Sequence, residues 1–258
     1  MRFCLILLFF LVTLSFAGCS SKKVTLKKVQ LDVKVESAGD GILVSKIIIE
    51  PSGDDPLAIL SEYSSVVVSK NNIEELKTEG IEVYRVKASD IPSIVSSMGR
   101  VASQKNVWHG QVLKWRDVQQ NQIPYQGMVI AKSGIMHFID SGFLSLLARS
   151  WLLQREDGLF VYLQLLPSWH VPSERSVVVT RKESSSQSKL FSDLGLEFLL
   201  LDGEAIILAV DLKRVEQFDG PLDEGPLPVR LGEALFGISV DEDMVVMLVL
   251  ESSILARE

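Results

Sequence analysis

The chain has 258 residues, of which 47% are hydrophobic, and its formal net charge is −7 at pH 7. This apolar content is enough for a sizeable core, and the length fits one large domain or two small ones. A nucleic-acid-binding protein normally presents a basic face, whereas the only basic cluster here is a group of lysines close to the N-terminus. The composition therefore indicates a globular protein that does not bind nucleic acid.

The first residues have the layout of an export signal. Arg2 carries a single positive charge, an almost wholly apolar run extends from Phe3 to Phe16, and the small residue Gly18 follows. The run is shorter than the roughly 20 residues that a membrane-spanning helix needs, and the chain turns polar at once afterwards. We therefore expect residues 1–18 to be a signal peptide. The alternatives to a signal that leaves a lipid anchor are a plain secretory signal, whose removal leaves no anchor, and a retained helix.

The end of this segment, Phe16-Ala17-Gly18-Cys19, resembles the lipobox of bacterial lipoproteins. In that family the chain is cut before the cysteine, here between Gly18 and Cys19, and the cysteine sulfur is lipidated. The first position of the box is usually leucine, and this chain has Phe16 there. The resemblance implies a cell-envelope protein, and Ser20 after the cysteine implies the periplasmic face of the outer membrane if the host has two membranes.

A lipidated Cys19 would be a permanent membrane anchor. One acyl chain binds membranes only marginally, at ~0.8 kcal/mol per buried CH₂, but the lipoprotein class carries two or three chains. Residues 19–23 would then be the lipidated N-terminus and a short linker. Lys22 and Lys23 would either add about 1 kcal/mol each at an anionic surface or only keep the linker soluble.

Cysteine content limits the chemistry of the remaining chain. Removal of the signal takes away Cys4 and leaves Cys19 as the last cysteine. An intrachain disulfide, a thiolate nucleophile and a cysteine metal cluster are therefore excluded. We expect no metal and no cofactor.

Residues 24–105 predict a small α/β part. Alternating apolar residues in Val24–Glu36 and the run GILVSKIIIEP predict two strands that form a hairpin. Short helices are expected from Asp54 to Tyr63 and from Ser69 to Gly80. The strand IEVYRVKA and a helix that ends at Gly99 complete this part.

Residues 106–258 predict a mostly antiparallel, β-rich part. FLSLLARSWLLQ and LFVYLQLLP flank a charged turn and favour a hairpin, although residues 144–153 also fit a buried helix. LEFLLLDGEAIILAVDL is the clearest predicted hairpin, with Asp202-Gly203 at its turn. The other predicted elements are strands in 107–119, 126–140 and 176–182, exposed segments at 183–188 and 218–228, a short helix LGEALFG and a closing strand DMVVMLVLES.

Candidate site residues are few. Trp108-His109 and Trp169-His170 repeat an aromatic–histidine pair, which suits the rim of a binding surface for a peptide or glycan. The third histidine, His137, is distant from both in sequence, and such spacing does not fit a zinc site. The chain also lacks a GxSxG nucleophile elbow, a GK[ST] phosphate loop and a GxGxxG turn.

Taken together, these features predict an α+β exported lipoprotein whose body resembles uncharacterised envelope lipoproteins. The leading hypothesis is a non-enzymatic binding or assembly module that is anchored through Cys19 and offers strand edges and aromatic residues to an envelope protein or peptide. The competing hypothesis is an envelope hydrolase whose acid and base groups come from His109, His137 or scattered carboxylates.

Overall fold

The fold consists of thirteen strands and four α-helices within the residues that the computed structural model describes: 39–53, 55–64, 70–132, 134–171, 188–212, 229–237 and 243–255. The helices are α1 (Ala58–Tyr63), α2 (Lys70–Thr78), α3 (Ile91–Met98) and α4 (Leu231–Phe236). The strands are β1 (Gly41–Pro51), β2 (Glu82–Lys87), β3 (Gly99–Gly110), β4 (Val112–Ile123), β5 (Met128–Lys132), β6 (Ile135–Ile139), β7 (Gly142–Arg155), β8 (Gly158–His170), β9 (Ser188–Leu190), β10 (Leu196–Leu200), β11 (Glu204–Leu212), β12 (Val229–Arg230) and β13 (Met244–Ser253). The predicted α+β class, with mostly antiparallel strands, is confirmed.

The first sheet has five antiparallel strands in the order β2-β11-β13-β1-β3. Its central strands β11 and β13 are buried along most of their length, on both faces. This explains why the sequence reads as continuous apolar runs in EAIILAV and MVVMLVL, since a strand that is covered on both sides has no polar face.

The second sheet runs in the order β10-β8-β7-β4, with the short strand β9 paired to β8. Alternate residues of its strands, such as Leu146 on β7 and Leu163 on β8, pack against Leu208 and Leu248 of the first sheet in one core. The two sheets therefore form a sandwich, because each hides one apolar face against the other.

Helices cover the other face of the first sheet. Leu60 of α1 and Ile94 and Val95 of α3 are buried against Ile207 and Met247 in a second core. The first sheet thus lies in the middle of three layers, with helices on one side and the second sheet on the other.

A third, smaller sheet joins β12, β5 and β6 in that order, with β12 parallel to β5. It is attached to the sandwich through α4. Two side chains of β4 bind the end of this helix: Gln119 donates to the Leu235 carbonyl at 3.0 Å and Asn121 to the Ala234 carbonyl at 2.7 Å. These bonds satisfy carbonyls that a helix C-terminus leaves without partners.

Most local predictions are confirmed. The predicted strand in 41–51, the helices near 58–63, 70–78, 91–98 and 231–236, and the closing strand are all present. Residues 144–153 belong to a β7–β8 hairpin, as favoured, and not to a helix. The predicted strand in 107–119 is divided between β3 and β4, which Gln111 separates. The predicted strand in 126–140 is likewise divided, into β5 and β6, which pair with each other.

The prediction that LEFLLLDGEAIILAVDL is a hairpin is wrong. Its two strands exist and Asp202-Gly203 is a turn, but β10 pairs with β8 in the second sheet while β11 pairs with β13 and β2 in the first. The segment is a corner, at which the chain passes from the second sheet into the first. The Ser252 hydroxyl holds this corner, because its single O–H is shared between the carbonyls of Leu201 and Glu204.

Strands from both predicted parts share the first sheet. β1, β2 and most of β3 come from residues 24–105, whereas β11 and β13 come from residues 106–258. The expected signal peptide, Cys19, the strand in 24–36 and the segments 176–182, 183–187 and 218–228 lie outside the described residues. β1 pairs with β13 on one side and with β3 on the other, so the prediction that it forms a hairpin with the preceding segment is wrong.

Candidate functional site: the β6 edge

The largest side chains that the third sheet exposes lie along its last strand. Ile135, Met136 and Phe138 of β6 are 61%, 68% and 65% exposed, and Tyr125 in the loop before β5 is 95% exposed. β6 is the terminal strand of its sheet among the described residues. We call the surface formed by these four residues the β6 edge.

Local packing holds the β6 edge in place. Ile139 of β6 and Ile130 of β5 are buried in the sandwich core and fix the inner end of the hairpin. The Phe138 ring lies across Gly127, where a Cβ would be 2.4 Å from the ring carbon Cζ. Gly127 has a φ of +76°. The chain thus makes room for an aromatic ring that is nevertheless exposed to solvent.

This arrangement has the chemistry of a strand acceptor. Along the free side of an edge strand, N–H and C=O groups are available to a further strand, and natural proteins usually protect such edges with lysine, proline or a bulge. β6 has the sequence IMHFI, which contains no lysine, no other fixed charge and no proline. Exposed apolar residues beside a free edge are the features that peptide-binding sheets use for strand addition.

A second cluster lies on the second sheet, on the face away from the sandwich core, beside a groove of about 480 Å³. The Arg149 guanidinium carbon is 4.6 Å from the ring centre of Trp115 and 5.5 Å from that of Trp151. Arg149 also donates to Gln164. The remaining members are Tyr162, whose ring centre is 4.7 Å from that of Trp151, and Glu197.

The polar groups of this cluster bind one another. Tyr162 donates to Glu197 at 2.6 Å, and Gln164 donates to the other oxygen of Glu197, also at 2.6 Å. Partial burial, followed by the bond to Glu197, raises the pKa of the Tyr162 hydroxyl. A ligand here would have to displace bonds that are already made, so we regard this cluster as weaker evidence for a binding site than the β6 edge.

The two aromatic–histidine pairs lie on different sheets, the first on β3 and the second on β8. Trp169 is only 9% exposed, packs in the sandwich core and donates its indole N–H to the Asp140 carbonyl at 3.2 Å. The His170 ring is half-buried, with its centre 5.7 Å from that of Phe143. Trp169 therefore has a structural role in the core.

Trp108 and His109 are both half-buried on β3. Burial, followed by the charge of Arg116, lowers the pKa of His109. His137 lies on β6 in the third sheet and does not line the cavity that contains His109. Within the described residues, no group of three His, Cys, Asp or Glu side chains is placed to hold a metal ion. Asp117 lines the cavity together with His109, so of the groups named in the hydrolase hypothesis the fold places one histidine and one carboxylate in a single cavity and His137 elsewhere.

The residues of the β6 edge were not among the sequence candidates. Their segment, MVIAKSGIMHFID, reads as ordinary strand, and apolar residues in a strand are usually buried. The available signal was that both faces of IMHFI are apolar although the strand is short and ends a hairpin. Arg149, a lone charge within FLSLLARSWLLQ, was the comparable signal for the second cluster.

Comparison with known proteins does not assign this chain to a family. The chain matches no family model, no curated protein and no solved structure at a significant level. Within the part of the chain that the structure describes, none of the helices has the length and apolar character needed to cross a membrane.

Proposed function

We propose that this protein is a cell-envelope lipoprotein, anchored through Cys19, that acts as a non-enzymatic binding module for another envelope protein. The observation that carries the binding role is the β6 edge: β6 is the terminal strand of its sheet among the described residues, and its side chains Ile135, Met136 and Phe138 are all more than half exposed. The anchor is supported by Phe16-Ala17-Gly18-Cys19 at the end of a signal-length apolar run.

The partner is an extended protein segment with apolar side chains at alternate positions. Such a segment adds as a further strand beside β6, its backbone bonding to the free groups of the edge. Its side chains then cover those of Met136 and Phe138, and removal of this apolar surface from water favours the complex by ~25 cal/mol per Å².

The anchor is tested by membrane fractionation of cells that carry the wild type or Cys19→Ala. We expect the wild type in the membrane fraction and the variant in the soluble fraction. Recovery of Cys19→Ala with the membranes, resistant to salt and carbonate, contradicts lipid anchoring.

The β6 edge is tested by photo-crosslinking in intact envelopes, with a photoreactive amino acid at Met136 or at Phe138. Leu201, 46% exposed at the β10–β11 corner, is the matched control position. We expect one light-dependent adduct from both β6 positions and none from Leu201. Mass spectrometry should map the attachment to an alternating apolar segment of one envelope protein.

Charge on the edge should prevent strand addition, because lysine blocks natural sheet edges. Phe138→Lys with the crosslinker at Met136 should lose the adduct, and Leu201→Lys should keep it. An adduct that survives Phe138→Lys, or one that maps only to this chain itself, would show that β6 does not receive a partner strand.

A further inference from the structure

A cavity of about 460 Å³ lies between β3, the edge of the first sheet, and β4, the edge of the second. None of its lining residues belongs to the β6 edge, and its chemical character is different. Its polar lining consists of Lys46 on β1, Lys105 and His109 on β3, and Asp117, Gln119 and Gln120 on β4. Valines supply the apolar remainder.

Both strands that border the cavity are irregular at that point. The pairing of β3 with β1 skips His109, and the pairing of β4 with β7 skips Val118. Such bulges redirect a side chain and are frequent beside functional sites. Nε2 of His109 is buried and has no hydrogen-bond partner among the described residues. A buried nitrogen without a partner is costly unless a ligand supplies one.

The two lysines carry an unbalanced charge. Lys46 lies directly opposite Lys105 in the pairing of β1 with β3, and like charges in that position destabilise a sheet. Burial, followed by repulsion from Lys105, lowers the pKa of Lys46. Within the described residues neither ammonium forms an ion pair, with Asp117 or with any other carboxylate.

We propose that this cavity binds a phosphate group, held by the ammonium groups of Lys46 and Lys105 and by Nε2 of His109. A phosphate group has oxygens in several directions, which suits separate donors on two strands. Lysine binds phosphate as a point charge, whereas a planar carboxylate is better matched by the paired donors of arginine. Gln119 is already used, since its amide donates to the Leu235 carbonyl.

Phosphate binding is measured on the purified full-length protein by thermal unfolding at constant ionic strength, with potassium chloride replaced stepwise by potassium phosphate. A ligand that binds only the folded state raises the midpoint in proportion to the logarithm of its concentration above its Kd. We expect this rise with phosphate at concentrations on the order of 1–10 mM. Equal midpoints in phosphate and chloride overturn the proposal.

Three variants test whether phosphate binds in this cavity and not through general charge. Lys105→Gln, at an exposed position where the fold tolerates change, should weaken phosphate binding by roughly tenfold, the loss expected for one charge-assisted hydrogen bond. Lys105→Glu places a carboxylate opposite Lys46, so it should raise the midpoint without phosphate and abolish the phosphate response. Lys87→Gln, an exposed lysine at the end of β2, is the matched control and should bind as the wild type does. Equal weakening by Lys87→Gln and Lys105→Gln would show that phosphate acts only through general charge.

The phosphate group could belong to a lipid headgroup or to a free phosphorylated molecule. A second ligand, dihexanoyl phosphatidylglycerol below its micelle-forming concentration, distinguishes the two. If this soluble lipid raises the midpoint at lower concentration than phosphate does, and Lys105→Gln weakens it, the cavity takes a lipid headgroup. If phosphate is the tighter ligand, the cavity takes a free phosphorylated molecule. Both results support the site, and a lipid effect that persists unchanged in Lys105→Gln contradicts it.

Discussion

Two neighbouring residues of β13 provide a direct test of the three-layer architecture. Leu248 and Met247 are both fully buried, at 0% exposed, yet they point to opposite faces of the central strand. Leu248 packs in the core between the sheets, and Met247 packs in the core beneath α1 and α3. If both layers cover this strand, truncation of either side chain must lower the free energy of unfolding substantially.

The magnitude follows from burial. Leu248→Ala removes about three methylene equivalents at ~0.8 kcal/mol each, or about 2.4 kcal/mol of transfer free energy. The cavity that remains brings the loss of unfolding free energy to about 2–5 kcal/mol. Met247→Ala removes a side chain of similar size from an equally buried position, so the same range applies. Against a total stability of about 5–15 kcal/mol, either loss is large.

The assay is urea unfolding followed by tryptophan fluorescence, in which a fall of the midpoint at unchanged slope reports lost stability. Leu113→Ala on β4 is the matched control, because Leu113 is 72% exposed and its truncation should change the unfolding free energy by less than about 0.5 kcal/mol. A loss below about 1 kcal/mol for Leu248→Ala or Met247→Ala would refute the packing of the corresponding face.

Two further predictions concern the backbone and pH. Gly41→Ala should lower the unfolding free energy by about 1–3 kcal/mol or more in the same assay. The reason is that Gly41 has a φ of +137° and a Cβ there would be 2.2 Å from the carbonyl carbon of Gly110. Gly53→Ala is the control and should leave the unfolding free energy unchanged, because the space around that position is open. Burial, followed by the charge of Asp202, raises the pKa of Glu251, so ionisation destabilises the fold as pH rises above the ordinary value of 4.5. Glu251→Gln should therefore match the wild type below pH 4.5 and exceed its stability at pH 7, and equal stabilities at pH 7 would contradict this.

Strands and helices were largely predictable because their signals are local. The apolar runs in 41–49 and the charged turn at 155–158 indicate a strand and a hairpin from neighbouring residues alone. Pairing is different, as the corner at Asp202-Gly203 shows. DG between two apolar runs favours a hairpin, but both faces of β11 need cover, and only a position between two layers supplies it.

The candidate sites were less predictable. Trp169 resembles a binding residue in the sequence and is buried in the core, whereas Phe138 resembles a core residue and is exposed. Side-chain type reports how favourable burial is, but not which strand ends a sheet. The cavity at Lys46 and Lys105 depends on β1–β3 pairing and on two bulges, which no sequence period reveals.

By itself, the sequence determined the positions of most strands and helices, and its only motif with a defined chemistry is Phe16-Ala17-Gly18-Cys19. These properties depend on neighbouring residues alone. Only the tertiary structure decided that β10 and β11 separate into different layers, that β6 ends its sheet and that Lys46 faces Lys105. Those features depend on which distant segments meet, and many apolar strands can pair with one another equally well until the whole core is assembled.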